Sequence, residues 1–223
     1  MSKPKDKREL SVAQNVSISS GKAWLEGELK IPVGATGVVL FAHGSGSSRH
    51  SLRNQYVANV IRAAGIGTLL FDLLTREEEE IDEVTGHLRF DIELLAKRLI
   101  DATQWIEREE NTSGLRIGYF GASTGGGAAL VAAAELGERV SAIVSRGGRP
   151  DLAGESLSQV KSPTLLIVGG YDEPVIDMNQ DAYDQLQCKK ELKIVPGATH
   201  LFEERGKLEE VAKLATAWFK RYL

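Results

Sequence analysis

The 223-residue sequence is poor in cysteine and has no excess of positive charge. Its single cysteine, Cys188, cannot form an internal disulfide and lacks the neighbouring Cys and His residues of a structural zinc site. Lys and Arg number 27 against 31 Asp and Glu, so no basic surplus draws the chain onto a phosphate backbone. These shortages exclude a disulfide scaffold and predict no nucleic-acid partner. A reducing, cytoplasmic setting is expected.

A targeting or membrane-spanning segment is also lacking. The first ten residues are charged and precede no apolar run, so they predict neither a secretory signal nor an anchor. Residues 117–134 are 18 positions without a charge, which is the length at which a membrane span must be considered. Five glycines interrupt this stretch, and they favour a buried strand, a tight turn and a small-residue helix. No membrane partner is therefore predicted.

Short apolar runs alternate with segments of helical periodicity, and no linker divides the chain. Several runs lack polar alternation, which is typical of strands buried on both faces of a mainly parallel sheet. The predicted strands are Trp24–Lys30, Val38–Ala42, Gly67–Phe71, Leu115–Phe120, Val140–Ser145, Thr164–Val168 and Leu192–Val195, with Leu10–Ser17 pairing as an antiparallel hairpin at one edge. The predicted helices are Asn54–Ala64, Phe90–Arg108, Gly125–Leu136, Ile176–Gln187 and Lys207–Tyr222. Together they predict one α/β domain over residues 1–223, with a mostly parallel open sheet covered on both faces.

A serine stands at the strand-to-helix turn in the middle of the chain. In the segment Gly121-Ala122-Ser123-Thr124-Gly125, the serine follows an apolar strand and opens an Ala-rich helix, which is the context of a nucleophile elbow. Two alternatives are a Gly-rich helix entry that only packs, and a phosphate-cradling loop. The spacing does not match G-x-G-x-x-G, which disfavours a dinucleotide site.

A nucleophilic serine needs a base, and the base needs a carboxylate to orient it. Of four histidines, only His200 lies in the loop between the last strand and the last helix. Asp172 follows the penultimate strand, so Ser123, Asp172 and His200 occur in the triad order of α/β hydrolases. The alternatives are a turn role for Asp172 and a plain loop role for His200. Asp177 is the second choice of acid, although its place suggests a helix cap.

An acyl-transfer site also needs amide donors for the oxyanion. The residue after the nucleophile, Thr124, supplies one. The loop after an early central strand begins with His43 and Gly44, and within it Ser45 is the predicted second donor, with Gly46 as the next choice. His43 is interpreted as a brace of this loop rather than as the base.

Four arginines fall in loops at the same edge of the predicted sheet, where loops at adjacent strand ends face one crevice. They are Arg49, Arg53, Arg146 and Arg149, of which Arg146 comes directly after a strand. Guanidinium groups there predict a preference for anionic substrates. The alternative is that they pair with Asp or Glu and only brace the rim. The acidic run Glu77–Glu80 is interpreted as a solvated loop and helix edge rather than a metal site.

The motifs HGSGSSRHS, GASTGG, SRGGRPDLA, VGGYDEPV and PGATHLFEE together resemble the dienelactone hydrolase-like group of α/β hydrolases. The resemblance implies an eight-stranded sheet whose second strand is antiparallel, little or no cap domain, no cofactor or metal, and hydrolysis through an acyl-enzyme. Dienelactone hydrolases proper carry cysteine at the elbow, where this chain has Ser123. The predicted function is therefore serine hydrolysis of a small carboxylic ester or lactone. Acyl transfer to another acceptor, and a non-catalytic ligand-sensing or interaction module, are the alternatives. The oligomeric state is left open.

Overall fold

The computed structural model describes residues 11–223, and these form one eight-stranded sheet between two layers of helices. The strands are β1 (Val12–Ser20), β2 (Ala23–Ile31), β3 (Gly37–Ala42), β4 (Gly67–Phe71), β5 (Arg116–Ala122), β6 (Val140–Arg146), β7 (Thr164–Gly169) and β8 (Lys190–Val195). The α-helices are α1 (Leu52–Ala63), α2 (Arg76–Thr85), α3 (Ile92–Arg108), α4 (Thr124–Leu136), α5 (Glu173–Gln185) and α6 (Lys207–Tyr222).

The sheet is mixed, with the strand order β1-β2-β4-β3-β5-β6-β7-β8. β2 runs antiparallel to both β1 and β4, and β3 to β8 are mutually parallel. The predicted edge hairpin and the antiparallel second strand are confirmed. Leu10, the first residue of the predicted edge strand, lies outside the described residues. Because β3 to β8 are parallel, their carboxyl ends and the loops that follow them meet at one edge of the sheet.

Each face of the sheet carries its own apolar layer. On one face, α3 and α4 cover side chains such as Leu69 and Tyr119, and on the other, α1 and α6 cover Phe41 and Phe120. The two phenylalanine rings lie 4.9 Å apart between centroids. Residues 117–134 divide between β5 and α4 as predicted, and no helix within residues 11–223 is long and apolar enough to cross a membrane.

Two segments differ from the sequence-based prediction. The acidic run, interpreted as a solvated loop and helix edge, belongs to α2, a ten-residue helix that was not among the predicted helices. Its start is a capping box, in which the Glu78 amide donates to the Thr75 hydroxyl (3.2 Å) and the Thr75 amide donates to the Glu78 carboxylate (2.8 Å). The T-x-x-E signal was present in the sequence. The second segment, Pro150–Gln159, is a 3₁₀ stretch kinked at Gly154, and its short irregular turns leave no helical period to detect.

Candidate active site

Ser123 occupies a strained turn between β5 and α4. Its backbone angles are φ 51° and ψ −124°, in a region that costs a non-glycine residue about 1 to 3 kcal/mol. The neighbouring glycines allow the helix to approach the sheet. A Cβ at Gly125 would lie 2.1 Å from the Ala42 carbonyl oxygen, and one at Gly121 would lie 2.6 Å from the Gly125 carbonyl oxygen. Packing therefore demands glycine on both sides of the serine.

The last residue of β6 and the loop after it hold this turn from both sides. The Ser123 amide donates to the Arg146 carbonyl (3.4 Å), and the Arg149 amide donates to the Ser123 carbonyl (3.0 Å). Within residues 11–223, the Ser123 hydroxyl makes no hydrogen bond. Hydrogen bonds between a catalytic nucleophile and its base are often long or poorly aligned before a substrate is bound. A Ser123 hydroxyl without a partner can therefore still form a hydrogen bond to a base once the substrate is in place.

His200 and Asp172 meet at the carboxyl edge of the sheet. The distance from His200 Nδ1 to Asp172 Oδ2 is 2.6 Å, a short hydrogen bond next to the roughly 2.7 to 2.9 Å usual between a charged N–H group and a carboxylate. Asp172 stands at the N-cap position of α5 but makes no capping hydrogen bond, so its carboxylate is free to face the imidazole. Asp177 instead lies exposed inside α5 with no contact to His200, and it is not a helix cap.

The two predicted oxyanion-hole residues lie side by side. The hydroxyl oxygens of Ser45 and Thr124 are 3.1 Å apart. Thr124 is the first residue of α4, where an amide has no acceptor within its own helix. A Cβ at Gly44 would lie 2.9 Å from the Ser123 Cβ, so only glycine lets the loop after β3 come this close to the serine.

His43 lies buried under this loop and bonds to backbone on both sides. Its Nδ1 is 3.0 Å from the Gly44 carbonyl, and its Nε2 accepts the Leu73 amide at 3.0 Å. Burial lowers the pKa of His43. A neutral imidazole that links two loops fits the predicted bracing role, and it leaves no free nitrogen for proton transfer.

A cavity of about 220 Å³ opens beside the two predicted oxyanion donors. The loop after β3 and helix α2 form much of its wall, so the helix that sequence patterns missed shapes the site. Its carboxylates include Asp82, which is paired with Arg89 at 2.5 Å, and the side chains of Glu79 and Glu83. Burial, together with the charges of Asp72 and Glu83, raises the pKa of Glu79. The cavity wall is therefore acidic.

The four predicted substrate-binding arginines differ in their partners. Three are paired with carboxylates: Arg49 with Asp72, Arg53 with Glu203 at 2.8 Å and Arg149 with Asp151 at 2.7 Å. Such pairing is the bracing alternative considered from the sequence. Arg146 is different, because its side chain is 7% exposed and contacts Asn54 and the Phe202 ring instead of a carboxylate.

Sequence reasoning missed two residues that pack on the histidine loop. Gly147, at φ 51°, lies beside His200, where a Cβ would come 3.2 Å from the His200 carbonyl oxygen and 3.4 Å from Nδ1. Phe202 is buried at φ 58°, a conformation unusual for a residue with a Cβ. The pair of glycines after β6 was the only available signal for the first. No sequence signal indicated Phe202.

Comparison with protein families supplies the deciding observation for the family. The model of the dienelactone hydrolase family matches residues 25–223, which is most of the chain. The chain belongs to the dienelactone hydrolase family. Members of this family are hydrolases of the α/β-hydrolase fold, so the resemblance seen in the sequence motifs is confirmed.

Solved structures agree with the family. A dienelactone hydrolase from Anabaena variabilis, known from a crystal structure, is 64% identical in sequence to this chain. The alignment covers 96% of this chain and 99% of the Anabaena chain, and the two structures superpose with a TM-score of 0.94. Est1E from Butyrivibrio proteoclasticus shares the fold at 14% identity, with coverage of 93% and 98% and a TM-score of 0.77.

A curated relative from Mycobacterium tuberculosis is provisionally named a phosphoribosyl transferase. It is 57% identical to this member of the dienelactone hydrolase family over 210 residues, which are 94% of this chain and 46% of the relative. The chain thus spans less than half of that protein. The relative's name applies to a longer protein, more than half of which has no counterpart in this chain.

Proposed function

We propose that this protein is a serine hydrolase that cleaves a small carboxylic ester or lactone through an acyl-enzyme. The observation that carries the proposal is the 2.6 Å contact between His200 Nδ1 and Asp172 Oδ2 at the sheet edge where the strained turn presents Ser123. A carboxylate on Nδ1 keeps the proton there, which leaves Nε2 as the acceptor for a serine proton.

The reaction then has a role for each residue. Ser123 Oγ attacks the substrate carbonyl as His200 takes its proton, and the amides of Ser45 and Thr124 stabilise the oxyanion. The alcohol leaves with the proton that His200 held. A water molecule, deprotonated by the same imidazole, then hydrolyses the ester on Ser123. Asp172 orients the imidazole and stabilises its cationic form.

The cavity beside the oxyanion donors supports a small substrate. At about 220 Å³ it lies below the roughly 300 to 1,000 Å³ of typical drug-sized pockets. Its acidic wall disfavours a carboxylate within it, since like charges repel. A preference for anionic esters would have to come from the side of the arginines, where Arg49, Arg53 and Arg149 are already paired.

The proposal is tested by turnover and by labelling of the nucleophile. A panel of p-nitrophenyl esters and small lactones should be hydrolysed, and a fluorophosphonate should stop turnover and add to Ser123, as located by peptide mass. Ser123→Ala should take no label. Absence of both turnover and labelling would reject the proposal in favour of a non-catalytic module. Product esters formed with an added alcohol, and no free acid, would instead indicate an acyl transferase.

A further inference from the structure

Arg146 carries a buried charge that no carboxylate compensates. Its Nη2 donates to Asn54 Oδ1 at 3.3 Å, its Nε is buried without a partner, and no ion pair to it is found within residues 11–223. Burial and the charge of Arg53 lower the pKa of Arg146 to about 10, so the side chain is still a cation at neutral pH. Burying such a charge is costly, and a group left unsatisfied calls for an explanation.

The backbone of Arg146 is joined to the serine turn. Its carbonyl accepts the Ser123 amide, and three residues later the Arg149 amide donates to the Ser123 carbonyl. Between them, Gly147 lies against the His200 imidazole, where a Cβ would come within 3.4 Å of Nδ1 and Cε1. The end of β6 is therefore hydrogen-bonded to the serine turn, and the glycine that follows it lies beside the histidine ring.

The side chain of Arg146 reaches the loop that carries the histidine. Its guanidinium carbon lies 5.9 Å from the centroid of the Phe202 ring, within cation–π range. Phe202 follows His200 by two residues, is 1% exposed and has φ 58°. A strained backbone of this kind persists only where its surroundings over-determine it, and the buried cation is part of those surroundings.

We propose that Arg146 is a positioning residue, which keeps the loop of His200 aligned with Ser123 by clamping the Phe202 ring from the end of β6. The proposal rests on the proposed serine-hydrolase function. One residue joins both halves of the machinery, because its carbonyl holds the serine turn and its guanidinium holds the histidine loop. This accounts for the unpaired charge without a substrate carboxylate.

The first test compares three variants of matched design. Arg146→Met removes the cation at similar length, and Arg146→Lys retains a cation without the planar group. Arg139→Met makes the same change just before the other end of β6, where Arg139 pairs with Glu107 at the surface. Misplacement of reacting groups by about 1 Å costs roughly 10²-fold, so Arg146→Met should lower kcat about 100-fold and leave KM within about threefold. Arg146→Lys should fall between, and Arg139→Met should match the wild type.

The kinetic split separates positioning from substrate binding. If Arg146 binds a substrate carboxylate, Arg146→Met will raise KM for a half-ester and leave the matching neutral methyl diester unaffected. That result would overturn the proposal. Equal loss of kcat for both esters, with slower fluorophosphonate labelling of Ser123, is the expected result.

A double-mutant cycle tests the route through the ring. If Arg146 acts through Phe202, adding Phe202→Leu to Arg146→Met should cause little further loss of kcat, whereas independent effects would multiply. Multiplying losses would overturn the clamp. The same cycle built on Arg146→Lys serves if Arg146→Met does not fold, as judged by circular dichroism.

Hydrogen exchange of the loop 199–204 gives a readout that needs no activity. Exchange there should rise in Arg146→Met and stay at the wild-type level in Arg139→Met. Unchanged exchange would reject the positioning role. If the wild type neither hydrolyses esters nor takes the label, but the loop still loosens in Arg146→Met, the proposed function fails and the clamp on the loop stands.

Discussion

Replacing Asp172 by asparagine tests the orientation of the imidazole with little change in shape. In the wild type, His200 Nδ1 lies 2.6 Å from Asp172 Oδ2 and must carry the proton in order to donate to it. The side-chain amide of the introduced asparagine can turn its NH₂ group toward Nδ1 and so favour the other tautomer. Nε2 then holds a proton and cannot accept one from Ser123.

The expected loss is large in rate and small in stability. A wrong tautomer in a serine triad lowers kcat about 10⁴-fold, which corresponds to roughly 5.4 kcal/mol of activation free energy. Asp172 is the N-cap residue of α5 and makes no capping hydrogen bond, and asparagine is as good as aspartate at that position. The free energy of unfolding should therefore change by no more than about 1 to 2 kcal/mol, because a neutral hydrogen bond replaces one to a charged carboxylate while the cap is unaffected.

The assay is burst-phase hydrolysis of p-nitrophenyl acetate by wild type, Asp172→Asn and Asp177→Asn. Asp177 is exposed within the same helix and makes no contact with His200, so its variant should behave as wild type. Urea unfolding of all three proteins controls for stability. Retention of kcat within about tenfold by Asp172→Asn, or an equal loss in Asp177→Asn, would refute the assignment of the acid.

Three further predictions follow from single positions. Ser123→Ala and Ser123→Gly should both lower kcat at least about 10³-fold, but Ser123→Gly should be the more stable variant by about 1 to 2 kcal/mol, because only glycine tolerates φ 51° without strain; equal melting temperatures would contradict this. The lowered pKa of His43 means that the unfolded chain takes up the proton more readily. The free energy of unfolding should therefore fall as the pH drops below about 6.5 toward the lower pKa of the folded state, and urea midpoints of His43→Gln should fall less than those of the wild type. Gly125→Ala should destabilise the fold by about 3 kcal/mol or more, since its Cβ would meet the Ala42 carbonyl at 2.1 Å; a thermal melt within about 2 °C of wild type would show that the strand and helix can separate.

Local patterns in the sequence were sufficient for most of the sheet. Apolar runs without alternation located the central strands, and the stripe of apolar side chains in α6 gave the bounds Lys207–Tyr222 that the structure has. The end of α5 was predicted at Gln187 and lies at Gln185, where one terminal turn has little periodicity. Helix α2 was missed because its acidic composition hid a short capped helix.

The sequence by itself determined the chain order of the proposed triad, Ser123, Asp172 and His200. It also determined the glycines around the serine, because a strand-to-helix turn and the residues it tolerates are local matters. Tertiary structure decided which partner each charged group has. Arg53 pairs with Glu203, 150 residues away, and Arg146 faces Phe202 rather than a carboxylate. Pairing at such separations depends on how parallel strands bring distant loops to one edge of the sheet. It also depends on which side chains lie within reach of one another once the loops are buried. Local sequence patterns contain neither kind of information.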